Sequence, residues 1–170
     1  MARLAFLTFG LMRAPTGDPA VRGFEIRIAA TYERAAESPG FLGSFAETPG
    51  SGTVSVRPAR WAAPAYAART AITMTLWTDL ESVHAFAFGP GHSGVLRRGH
   101  AWMEHGDWPR HVAWWVADDE VPTPADACRR YDLLDEHGPT PEAFTFDTAD
   151  DAHGAPVDLD HARVAELRGR

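Results

Sequence analysis

Two histidines and three threonines are the residues of this chain whose type and setting point to chemistry. His92 follows the break Gly89-Pro90-Gly91 and precedes Val95 and Leu96 by three and four residues. That spacing places it at the start of a helix, on the stripe that faces inward. A helix N-terminus disfavours imidazolium, so the ring is expected to be neutral. A neutral imidazole can act as a base, donate a hydrogen bond or ligate haem iron. The alternative is a histidine that merely caps the break and is satisfied by backbone carbonyls. His111 opens a strand and shares a face with Trp115, which makes it the second candidate base or else an ordinary strand-edge histidine. Thr8, Thr73 and Thr75 interrupt apolar strands. A buried hydroxyl needs a partner. Each can find one in the protein, or the three can supply the directional groups of an otherwise apolar ligand cavity.

Large rings accompany these residues. Trp61, Trp77, Trp102, Trp114 and Trp115 are many for one small domain, and some must be core or interface. Trp61, Trp77, Trp102 and Trp115 join the threonines as candidate walls for a flat apolar or aromatic ligand. The single cysteine, Cys128, reads as a small buried hydrophobe rather than a nucleophile.

The elements that must position these residues follow from periodicity. Residues 4–11, 70–77 and 111–117 alternate as strands and are apolar on both faces. Residues 41–47 form a shorter strand. From 20 to 37, Val21, Phe24, Ile28, Tyr32 and Ala35 recur at helical spacing behind an expected cap at Asp18 and Pro19. Asp79 caps a short helix carrying Leu80, Val83 and Ala87, and a second helix is expected over 90–105. Thr123-Pro124-Ala125-Asp126 has the pattern of a capping box opening another helix. Residues 48–69 read as a long connection or lid with Trp61 and Tyr66 in it. Residues 147–170 read as an acidic, flexible tail after a domain spanning 1–146.

With 170 residues, 45% of them hydrophobic, the chain can build one core. A net charge of -7 disfavours nucleic acid and anionic membrane surfaces as partners. One cysteine excludes a disulfide framework and a cysteine-rich metal site. No phosphate-binding glycine loop, dinucleotide fingerprint, His-Glu-x-x-His or Gly-x-Ser-x-Gly occurs. The apolar run at the N-terminus is too short for a span and reads as a strand, so a cytoplasmic location is expected.

The order β-α-β, connection, β-α-α-β is that of a ferredoxin-like α+β fold, a four-stranded antiparallel sheet with helices on one face. Strands apolar on both faces then need a second cover. The expected cover is a twofold partner whose sheet faces this one. The alternative is the long connection and C-terminal helix of the same chain.

The run Trp77-Thr78-Asp79-Leu80-Glu81-Ser82-Val83-His84-Ala85-Phe86 through Gly91-His92, with Arg97-Arg98-Gly99-His100-Ala101-Trp102, resembles the dimeric α+β barrel superfamily, of the antibiotic biosynthesis monooxygenase kind. The chain more closely resembles the bacterial family domain of unknown function 3291. Ala14-Pro15, Asp18-Pro19, Ser38-Pro39-Gly40-Phe41, Val56-Arg57-Pro58, Trp114-Trp115-Val116 and above all Gly138-Pro139-Thr140-Pro141-Glu142-Ala143-Phe144-Thr145-Phe146 carry that likeness. It implies the barrel fold and a homodimer, and settles no activity. The superfamily holds cofactor-free monooxygenases, haem-degrading oxygenases, haem peroxidases, aldoxime dehydratases, isomerases and lyases, and fold alone selects none of these. Thr8 and Thr73 stand where the family often has Asn, which shortens the reach of those groups.

The expected function is therefore an enzyme for a small apolar or aromatic substrate, with no cofactor: a monooxygenase or an isomerase or cyclase using a histidine base. One alternative is a haem protein with His92 as ligand and Met74, Met103, Arg97 or Arg98 near the porphyrin. The other is a non-catalytic small-molecule binding protein.

Overall fold

The computed structural model of the protein describes residues 2–45, 55–89 and 99–169. His92, Arg97 and Arg98, and most of the helix expected over 90–105, lie outside them. Four strands, β1 (Arg3–Leu11), β2 (Phe41–Ser44), β3 (Thr70–Trp77) and β4 (His111–Val116), form one antiparallel sheet in the order β2-β3-β1-β4. Among the described residues, α1 (Arg22–Glu37), α2 (Leu80–Ala87), α3 (Pro124–His137) and α4 (His161–Arg168) are helices, and residues 99–102 are helical as well. No helix among the described residues is long and apolar enough to cross a membrane.

Strand alternation sorts the sheet into two faces. On one, Leu4 and Phe6 of β1, Trp77 of β3 and Ala113 of β4 pack with Ala35 of α1 and with Leu80 and Val83 of α2. On the other, Ala5, Leu7 and Phe9, with Ile72, Met74 and Leu76 and with Val112, Trp114 and Val116, pack against Ala127, Tyr131 and Leu134 of α3 and against Trp61. Helices thus cover both faces, not one. The second face is closed by the long connection and by α3, so its burial requires no facing partner. This is the alternative weighed above, and it removes the physical reason for a sheet-to-sheet dimer.

The connection is an ordered cover where it is described. Two short 3-10 turns, Ala59–Trp61 and Pro64–Tyr66, bring Trp61 down onto Phe9, Tyr66 and Trp108 with ring centroids 5.0–5.3 Å apart. Arg60 is paired to Asp107 and Asp135 above it. Ala59 N–H donates to the Asp132 carboxylate of α3 at 2.8 Å, fastening the connection to that helix. Residues 55–57 form no strand, and 46–54 lie outside the described residues.

Caps explain most of the helix boundaries. Asp79 accepts from Ser82 N–H at 2.7 Å and starts α2. Thr123 and Asp126 form the expected capping box of α3, and Gly138, at φ +77°, ends it. α1 starts at Arg22, later than Asp18-Pro19 suggests. Asp18 instead closes a turn, accepting from Ala20 N–H at 2.8 Å. The segment after Asp147, read from sequence as a solvated tail, folds back along the molecule. Trp115 Nε1–H donates to the Asp150 carbonyl at 2.7 Å, and Val164 and Leu167 of α4 are buried with Ala85 of α2. Three spaced apolar residues, Leu159, Val164 and Leu167, outweigh the acidic composition.

Candidate small-molecule site

The register of the sheet aligns three of the expected residues in one row. Thr8 of β1 stands opposite Thr73 of β3 and opposite His111 of β4, all on the face covered by α1 and α2. The row is about 10 Å long, two strand spacings. Thr8 and Thr73 hydroxyls are hydrogen-bonded to each other at 2.6 Å. All three residues are half-buried. The rows beside them are closed: Thr75 and Phe6 are buried, and Trp77 and Leu4 are fully so. The polar row therefore marks where the sealed core of this face gives way to accessible surface.

His111 is set among aromatic rings. Its ring centroid lies 5.4 Å from Phe6 and 4.7 Å from Phe146. Phe146 N–H donates to His111 Nε2 at 3.4 Å, a long bond that assigns the ring proton to Nδ1. Burial pushes its pKa down to about 4, against the opposing pull of the Asp147 carboxylate. The ring is neutral at physiological pH and too weakly basic to take a proton from ordinary carbon acids. His84 of α2 stacks edge-on against Phe146 at 5.0 Å, and burial lowers its pKa as well.

Tyr32 comes over the row from α1. Its hydroxyl is shut off from solvent and has no hydrogen bond of ordinary geometry. The Thr73 hydroxyl is the side chain that acts on it, and burial raises its pKa to about 12. The sequence reading named Tyr32 only as part of the helical stripe. The available signal was a polar tip on that stripe. Phe146 was read as an anchor, and its contact with His111 crosses 35 residues of chain.

The remaining candidates are dispersed. Thr75 accepts from Trp77 Nε1–H at 2.9 Å and donates to the Phe6 carbonyl at 3.4 Å. Both are satisfied core residues, closed to a ligand. Trp102 lies against α1, where a Cβ on Gly23 would sit 2.9 Å from its ring and the Arg27 guanidinium 5.4 Å from the ring centroid. Trp115 holds the C-terminal segment. Trp61 is on the opposite face of the sheet. Cys128 is buried, and burial raises its thiol pKa to about 12. Among the described residues, no three His, Cys, Asp or Glu side chains come together in a way that would hold a metal ion.

An α+β protein with one half-open polar row under α1 is the class that fold and site define. The model of the family Domain of unknown function (DUF3291) matches residues 3–159, and the chain belongs to that family. No curated protein and no solved structure matches it.

Proposed function

We propose that the chain is an enzyme that binds a small apolar or aromatic molecule between α1 and the sheet and activates it by proton transfer, without a cofactor. The Thr73–Thr8–His111 row carries this reading. Directional polar groups on an otherwise apolar, half-open surface are the usual make-up of a small-molecule site. The strand order β2-β3-β1-β4, with α1 and α2 together on one face, supports a ferredoxin-like plan. In this reading His92 is the base, on its place in the sequence. His111 is a fixed neutral wall, since its Nε2 is engaged and its basicity is low.

His111 is poorly placed to hold haem. His111 Nε2 faces the Phe146 N–H, and rings stand close to the imidazole. Met74, one of the residues expected near a porphyrin, is buried on the opposite face.

Two probes test the reading together: deuterium incorporation into 2-tetralone in D2O, followed by NMR, and dioxygen uptake with 2-naphthol. Acceleration of either over buffer, lost in His92→Ala, is the expected result. Binding of the probes without acceleration would reduce the protein to a binding module. No binding would remove the site.

A further inference from the structure

Counting protons in the row narrows the ligand class, on the premise that the pocket proposed above is real. The hydroxyls of Thr8, Thr73 and Tyr32 bring three protons to one place. The Thr8–Thr73 bond uses one. The Tyr32 oxygen is buried without a hydrogen bond of ordinary geometry, and the Thr73 hydroxyl is the group that acts on it. An unsatisfied buried hydroxyl calls for an explanation. The Tyr32–Thr73 contact draws on a second proton, and the donor left over beside an apolar wall suits an acceptor oxygen. Tyr32 keeps its proton at neutral pH, since its pKa is raised to about 12. His111, accepting at Nε2, likewise offers a donor at Nδ1.

The charges around the row distinguish a neutral acceptor from an anion. Among the described residues, burial and the Thr73 hydroxyl act on Tyr32, with no charged group among the causes. At His111 the charge felt most is a carboxylate, Asp147, followed by His84. Among the described residues no Lys or Arg acts on Tyr32 or His111, so a ligand carboxylate here would be desolvated at high cost.

We infer that Tyr32, together with Thr73 and Thr8, receives the oxygen of a neutral carbonyl compound, so that the ligand class is a ketone on an apolar or aryl frame.

Three probes of one shape test this: 2-acetylnaphthalene, 2-ethylnaphthalene and 2-naphthoate, titrated by calorimetry into the full chain and into Tyr32→Phe. The ketone is expected to bind about tenfold tighter than the hydrocarbon, the size of one or two net hydrogen bonds. In Tyr32→Phe that preference falls to near unity while hydrocarbon affinity is kept, which also shows that the variant is folded. The 13C-labelled carbonyl stretch should move to lower frequency on binding and return in the variant. Thr73→Val, which removes the partner hydroxyl and leaves α1 untouched, should reduce the same preference. An unchanged ketone preference in both variants overturns the role given to Tyr32 and Thr73 and leaves the pocket standing. Tighter binding of naphthoate overturns the neutral class. Binding of none of the three overturns the pocket, and this inference with it.

Discussion

At the scale of single residues, His111 ties the candidate site to the stability of the protein. Its pKa is about 4 in the folded chain and near 6.5 when unfolded. Between those values the unfolded chain binds more protons, so stability is fully present above pH 6.5 and drains away as pH falls toward 4. The groups that act on it are Asp147, which opposes the shift, and His84, which adds to it. The loss amounts to at most about 3 kcal/mol, less for a half-buried ring. Urea unfolding at pH 7.5 and 4.5 is expected to show this drop in the wild type and a smaller one in His111→Phe. Equal drops would mean that other groups carry the acid sensitivity. The sequence showed His111, Thr8 and Thr73 individually. It could not show that they form a row, because register between strands is set by pairing across 65 residues. Nor could it separate Thr75, whose hydroxyl is taken up by Trp77 and Phe6, from its two half-buried counterparts.

At the scale of elements, local chemistry was legible wherever one signal dominated. β3 follows from strict alternation, and α2 and α3 from their caps. α1 begins later than its proline suggested because Asp18 spends its carboxylate on a turn. The C-terminal segment was the hardest to read, since three apolar residues in an acidic run give little periodicity. Its attachment can be tested directly. Val164 is 2% exposed, against α2. Val164→Asp buries an unpaired charge there and should release α4, at a cost in stability of a few kcal/mol. Hydrogen exchange of residues 161–168 is expected to rise sharply, with the strands still protected. A uniform rise across the sheet would show instead that the segment and the sheet unfold as one unit.

At the scale of the whole molecule, composition gave a closed core but not its cover. Apolar residues on both faces of a strand say that both are buried, without saying by what. Trp61 and α3 supply the answer within the chain, and a sheet-to-sheet dimer would have to displace them. Sedimentation equilibrium at micromolar concentration is therefore expected to return 18.6 kDa. Twice that mass would place an interface elsewhere, with exposed Ile26 of α1 and Leu42 of β2 as the first surface to mutate.

The hydrogen bond from Phe146 to His111 also has a meaning in time. A ribosome delivers β4 well before the residue that walls its histidine, and Phe144 pairs with Ala113 along the outer edge of that strand. All four strands can have emerged while that wall is still unmade. A nascent chain stalled before residue 144 thus has its sheet in hand, an open flank on β4 and His111 without its wall. Any stabilisation by a ligand of the proposed site could begin only once the chain up to Phe146 has been made.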